Sequence, residues 1–290
     1  MMMSKLRGMQ QMGFCRQLMT GLALTAIFAV GSIGSAQAQQ GTLETIKARG
    51  KLIVGTRFDT PGVNQLNPVT GVVEGFDAEI AYAIAKRIGL GLDKVEFVEV
   101  ISANRETAIE QGLVDIVLSG YAITKKRRDV VGQAGPYIEA YIGFFINQDD
   151  VARFNTIADI KDAKVCSTPT SSMVPIIKEN GGIVIPIDDN SACSQQVINK
   201  LVDGKMGHDL TNVGFLDKFP GMVISHIPPI ATEGWGVGFR KGDEEFCTFL
   251  KQTLADTGKT GEWMAAWNKI FKPLKARDRQ IPQVDEKCWN

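Results

Sequence analysis

The spacing of apolar and polar residues changes period several times along the chain, and each change predicts an element. TLETIKARG (residues 42–50) reads as a short capped helix stopped by Gly50. KLIVGTR (51–57) follows as an apolar run of strand length. In GFDAEIAYAIAKRIG, Ile80, Ile84 and Ile88 recur every four residues with Gly89 just beyond, an amphipathic helix with one apolar stripe. KVEFVEV alternates and reads as a strand. NRETAIEQG reads as a short helix with Asn104 at its N-cap and Gly112 as its stop, and VDIVLSG as the next buried strand. The order β-α-β-α-β predicts a mostly parallel sheet with helices on its faces.

AGPYIEAYIGFFIN (134–147) is apolar over more residues than one ordinary strand uses. A second series follows it. AKVCS reads as a strand and SSMVPIIKENG as a helix, with Pro175 in or near the first turn, where proline is tolerated. GIVIPI reads as a strand, NSACSQQVINKLVDG as a helix capped by Asn190 or Ser191, TNVGFLDKF as a short helix, and GMVISHI and GWGVGF as strands. DEEFCTFLKQTLADTG and TGEWMAAWNKIF close the chain as helices. Two β-α series joined by long apolar segments predict an α/β fold of two lobes linked by two crossing strands. There are no repeats or low-complexity tracts, and no flexible linker is evident.

The N-terminus changes the compartment. Lys5, Arg7 and Arg16 precede a largely apolar run from Leu18 to Ile33, and Ala36 to Ala38 (AQA) offers small residues for cleavage. This pattern predicts an export signal over residues 1–38, cleaved near Ala38, and a periplasmic protein starting at Gln39. The run is short for a membrane span. Cys15 lies before it, which is not the lipoprotein position. Of 32 basic and 32 acidic residues, the first 38 hold three basic and no acidic ones, so the remainder carries a net charge of −3. That balance argues against a nucleic-acid partner, whose binding rests on neutralising many phosphates. Four cysteines remain, Cys166, Cys193, Cys247 and Cys288, an even number that suggests two disulfides in an exported chain. Sequence order favours Cys166 with Cys193 and Cys247 with Cys288, each worth roughly 3 to 4 kcal/mol on chain-entropy grounds. With no Cys-x-x-Cys spacing and only His208 and His226, no metal site is expected.

In open α/β sheets ligands bind beyond the carboxyl ends of strands. Arg57 ends the first strand there. Ser119 and Gly120 end the third, with Thr124 to Arg128 directly after; Arg105 begins a helix; TPTSS (168–172) lies between a strand and a helix. Hydroxyls and free N–H groups at a helix start favour an anion. The basic run Lys125 to Arg128 fits a nucleic-acid patch, a solvated helix face or turn, or an anion clamp. Nothing demands more than solvation of Lys125, Lys126 and Arg128, and spacing alone places Arg127 no better.

GFDAEIAYAIAKRI resembles the signature segment of the extracellular solute-binding proteins of ABC importers for polar amino acids, family 3. GLVDIVLSGYAITKKRRDVVGQAGPY is similar to that family's stretch from a G-x-V-D strand through T-x-x-R, on which Thr124 and Arg127 fall, to a P-Y. VGTRFDTPG, ISANRETAI and cysteines like Cys166 and Cys193 resemble the glutamate/aspartate-binding branch, and the likeness runs from about Thr42 to Phe271. The resemblance implies the type II periplasmic-binding-protein fold, with one lobe from residues 39–138 and 236–290 and the other from 139–235. It implies a monomeric receptor without a cofactor that delivers an acidic amino acid to a membrane permease. Arg127 would grip the α-carboxylate through its planar fork, with Thr124 beside it. Arg57 and Arg105 would hold the side-chain carboxylate, Ser119 and Gly120 would offer backbone groups, and Ser171 and Ser172 would close from the second lobe.

Two positions depart from the family. Ala122 replaces the usual Ser or Thr, and Asn212 stands where an aspartate normally receives the ligand's ammonium; Asp209 would compensate only through a register shift. A non-amino or N-blocked dicarboxylate is the alternative ligand. A cyclohexadienyl-dehydratase-like enzyme on the same fold would need a general acid or base, and the sequence offers none beside the expected site: Met173 follows TPTSS and no histidine falls near. A sensor domain is disfavoured because no signalling segment follows Trp289.

Overall fold

The computed structural model describes residues 41–290; the segment read as an export signal lies outside the described residues. α1 (Thr42–Arg49) forms as expected, and Gly50 ends it in the left-handed conformation, donating its N–H back to the carbonyls of Ile46 and Lys47. β1 (Leu52–Thr56) enters the core. An unanticipated antiparallel sheet then forms from β2 (Asp59–Thr60), β3 (Asn64–Leu66) and β4 (Val73–Glu74), strands too short to show a periodicity. It leads into α2 (Phe76–Ile88), whose predicted stripe of Ile80, Ile84 and Ile88 is buried. At Gly75, φ is 132° and a Cβ would lie 2.2 Å from the Val63 carbonyl oxygen, so only glycine fits the entry to α2.

β5 (Val95–Glu99) and β6 (Ile116–Val117) flank β1 in parallel, and α3 (Arg105–Glu110) lies between them in the chain. Asn104 precedes α3 but its side chain makes no capping bond; a 3-10 turn, Ser102–Asn104, feeds the helix instead. Of the local readings of the basic run, the helical one holds: it is a single helical turn, α4 (Lys125–Arg128), and Thr124 Oγ1 accepts the Arg127 N–H at 3.2 Å and caps it.

The apolar segment that looked too long for one strand is one strand, β7 (Gly132–Asn147), of 16 residues. Beyond it come β8 (Lys164–Ser167), α5 (Met173–Glu179), β9 (Ile183–Pro186) and α6 (Asn190–Ile198). The chain continues through β10 (Gly204–His208), α7 (Asp209–Lys218), β11 (Met222–Ile224) and β12 (Thr232–Phe239). Asp189, not Asn190 or Ser191, caps α6, its carboxylate accepting the Ala192 N–H. β10 was not read from sequence because two of its five residues are glycines, poor strand formers. Gly204 is required there: a Cβ would meet the Phe144 ring at 2.3 Å.

The length of β7 serves two sheets. Its residues 132–141 pair antiparallel with β12, and residues 142–147 pair with β10 and β11. One half-sheet runs β5-β1-β6-β12-β7 and the other β7-β10-β8-β9. Each half has its own apolar core, around Phe76, Trp235 and Trp263 in the first and around Ile142, Phe144 and Phe154 in the second. This is the two-lobe α/β fold, with β7 and β12 as the crossing strands.

α8 (Glu244–Lys259) and α9 (Glu262–Ile270) complete the first half. Asp243 serves two helix starts, accepting the Phe246 N–H at 2.9 Å and the Thr42 N–H at 2.8 Å. Both expected disulfides form, Cys166–Cys193 and Cys247–Cys288. The second holds the C-terminal tail, which Arg128 also pins by donating to Asp285 at 2.7 Å. Arg128 is thus a tail anchor rather than a solvated charge. Among the described residues no helix is long and apolar enough to cross a membrane.

Candidate functional site

The carboxyl ends of β1 and β6 in one half-sheet face the loop after β8 and strand β10 of the other across a small cavity of about 70 Å³. Arg57, Arg105, Ser119, Gly120, Arg127, Ser171 and Ser172 all line it, as does Lys205 of β10, which sequence reasoning missed. Thr124 and Asn212 do not line it. The cavity is well below the several hundred Å³ of a site for drug-sized molecules, so its occupant is small. Four lining side chains are cationic, Arg57, Arg105, Arg127 and Lys205; none of the described lining residues is acidic.

The four cations differ in what already holds them. Arg57 is 5% exposed and donates to Asp59, to Ser102 Oγ at 3.1 Å, and to Asp188 Oδ1 at 3.2 Å and the Asp188 carbonyl oxygen. Burial opposes its charge, but the two carboxylates outweigh burial and hold its pKa above the ordinary value. Arg127 Nη1 donates to the Ala122 carbonyl at 2.8 Å and Nη2 to the Thr170 carbonyl at 3.1 Å, its Nε lies 3.5 Å from Glu106, and its fork sits over the Tyr121 ring.

Arg105 is different. It is 6% exposed and its hydrogen-bond partners are neutral, the carbonyl and hydroxyl oxygens of Ser119, both at 3.0 Å. Its Nε is buried with no hydrogen-bond partner and, among the described residues, no carboxylate stands within ion-pair distance. Burial, with Arg127 and Arg57 nearby, pulls its pKa down to about 10. Lys205 is 3% exposed, donates to the Asn190 carbonyl and Ser194 Oγ, both at 3.2 Å, and lies over the Phe215 ring. Burial brings its pKa down to about 7. A buried cation with only neutral partners is costly, and the structure holds two of them at one cavity.

The remaining expected residues are partly committed inside the protein. The Gly120 N–H goes to Asp77 at 2.8 Å, and the Ser119 carbonyl is taken by Arg105. Thr124 caps α4. Ser171 Oγ accepts the Met173 N–H at 3.2 Å, and Ser172 Oγ donates to Glu233 at 2.7 Å. Asn212 is fully buried behind the cavity wall, its Nδ2 donating to the His208 carbonyl at 2.7 Å and its Oδ1 unpartnered. Asp209 does not turn toward the cavity: it accepts the Tyr141 N–H at 2.9 Å and pairs with Arg279.

A histidine does stand at the site, contrary to the sequence reading. His208 ends β10 and lines the cavity. Its Nδ1 faces the Trp235 indole N–H at 3.3 Å, which can only donate, so Nε2 carries the proton that goes to Glu233 Oε2 at 2.8 Å. Held at both nitrogens, His208 fixes the wall between Trp235 and Glu233. Its signal lay in the missing strand: two consecutive helices, α6 and α7, need a strand between them in an alternating β-α series, and Lys205 and His208 sit on it.

Comparison with known proteins agrees with this architecture. Residues 52–273 match the family model of bacterial extracellular solute-binding proteins, family 3. The glutamate-binding protein GluB of Corynebacterium efficiens is 27% identical over 247 residues, spanning 81% of this chain and 83% of that protein. Among solved structures, a variant of ArgBP from T. maritima superposes with a TM-score of 0.74 at 25% identity, covering 80% of this chain and 99% of that one. The ancestral amino acid-binding protein AncCDT-1, a precursor of cyclohexadienyl dehydratase, does so with a TM-score of 0.73 at 27% identity, covering 79% and 99%. The chain belongs to the bacterial extracellular solute-binding proteins, family 3.

Proposed function

We propose that this protein is the periplasmic substrate-binding receptor of an ABC importer, capturing a small acid with two carboxylates and passing it to a membrane permease. The acid is an acidic amino acid or a related dicarboxylate, held between a lobe of residues 39–138 and 236–290 and a lobe of 139–235. The observation that carries this reading is the lining of the cavity: four cationic side chains and no acidic one among the described residues. Likeness to a glutamate-binding protein points the same way. Arg105 and Arg127 are the principal carboxylate clamps, with Arg57 alongside; Ser119, Gly120, Ser171 and Ser172 shape the walls, and Thr124 and Asn212 act from behind them.

A thermal-shift screen of amino acids and small dicarboxylates tests it, because a ligand at about 100 times its Kd adds about 2.7 kcal/mol of stability. Acids with two carboxylates should raise the melting temperature, while arginine, lysine and neutral amino acids should not. A larger shift with a neutral or basic amino acid than with every diacid would contradict the reading.

A further inference from the structure

The same cavity distinguishes between diacids. An acidic amino acid brings an ammonium group as well as two carboxylates, and a buried ammonium needs a compensating charge or a full set of acceptors. Every nearby carboxylate is spoken for. Asp59 and Asp188 hold Arg57, Glu106 faces Arg127, and Asp209 is paired with Arg279. Glu233 does not line the cavity and is bound by His208 and Ser172. Asp77 accepts from Tyr137, Gly120 and Asn64. The Ala122 carbonyl, an obvious acceptor, already receives Arg127 at 2.8 Å and Gln133 at 3.1 Å. Asn212 turns its Nδ2 to the backbone, and its Oδ1, like Asn64 Oδ1 and Ser167 Oγ at the lining, is an unpartnered acceptor that brings no charge. The two cations left without a carboxylate partner, Arg105 on α3 and Lys205 on β10, come from opposite sides of the cavity.

We infer that the solute is a small dianion without a free ammonium group, a plain dicarboxylate rather than an α-amino one, bridged between Arg105 and Lys205. This rests on the two-carboxylate receptor reading above and narrows it. The ligand supplies the direct carboxylate contact that neither cation has among the described residues. Lys205 makes the contact readable as a proton. Its ammonium faces the Asn190 carbonyl, the Ser194 hydroxyl and the Phe215 ring, with Asp59, Asp189 and Arg57 as the charges that act on it. Burial keeps it near half-protonated at about pH 7 in the free protein. A bound carboxylate raises that pKa. Between the free and bound pKa values, binding therefore takes up a proton, and affinity falls as pH rises above about 7.

The experiment is calorimetry with matched pairs, 2-oxoglutarate against glutamate and malate against aspartate, in buffers of different ionisation enthalpy at about pH 8, above the free lysine pKa. The expected result is at least about tenfold tighter binding of the member without the ammonium, with net proton uptake in the wild type and none in Lys205→Met. Lys205→Met should also weaken binding by at least about tenfold without lowering the melting temperature of the free protein. Tighter binding of glutamate or aspartate would overturn the inference while leaving the two-carboxylate reading intact. Binding of neither pair, with a neutral or basic amino acid bound instead, would overturn both. Asn212→Asp separates the cases again: it should weaken the plain dicarboxylate, and an unchanged or tighter affinity for 2-oxoglutarate would count against the inference.

Discussion

Lys126 and Arg127 are adjacent in the chain and opposite in surroundings. Lys126 is exposed, whereas Arg127 is drawn over Tyr121 and reaches the carbonyl of Thr170. A planar fork can meet a carboxylate with two parallel bonds, which an ammonium cannot. Arg127→Ala should weaken binding of any diacid by more than about 100-fold, near 3 kcal/mol, since the ligand carboxylate would be left buried and unpaired. Lys126→Ala should leave the affinity unchanged. Isothermal titration of both variants checks this, and near-native affinity in Arg127→Ala would remove it from the clamp. Three of the four lining cations were legible in sequence because they follow strand ends or lie in a long family motif. Lys205 was not, since its neighbours Gly204 and Gly207 hide the strand that carries it. Nor could sequence show that Arg57 is already held by Asp188, a contact between residues 131 apart.

The elements read best where a pattern spans several turns. α2 buries its apolar stripe as the spacing predicted and α8 forms where a helix was read, while the short strands β2 to β4 and the basic helix α4 have too few residues for a period. β7 exceeds the length of an ordinary strand because an ordinary strand belongs to one sheet and this one belongs to two. Long-range ties are a further layer that local pattern cannot reach. The Cys247–Cys288 disulfide fastens α8 to a tail whose Cys288 carbonyl accepts the Gln133 N–H on β7 at 2.7 Å. The double substitution Cys247→Ala with Cys288→Ala should cost about 2 to 4 kcal/mol, with little change in ligand affinity because neither residue lines the cavity. Chemical denaturation and titration of the same variant check both parts; full stability would contradict the first and lost affinity the second.

At the scale of the whole molecule, the two half-sheets meet through polar contacts across the cleft. Asp59 accepts the Asn190 N–H at 2.8 Å, Asn190 Nδ2 donates to Thr60 at 3.1 Å, and Arg127 donates to the Thr170 carbonyl at 3.1 Å. A ligand that touches both sides shifts the population toward this closed arrangement. On the function proposed above, the work is done by cations that the fold buries with only neutral hydrogen-bond partners, at a cost to the free protein that the ligand relieves. Arg105 is the sharpest case, buried over the Tyr121 ring and hydrogen-bonded, among the described residues, to Ser119 alone. The most direct measurement is therefore a paired one on Arg105→Met: a melting curve of the free protein and a calorimetric titration with 2-oxoglutarate and glutamate. Removing an uncompensated buried charge should leave the melting temperature unchanged or raised, while affinity for both acids falls by more than about 100-fold. Retained affinity in Arg105→Met, for whichever of the two acids the wild type binds, would contradict the account.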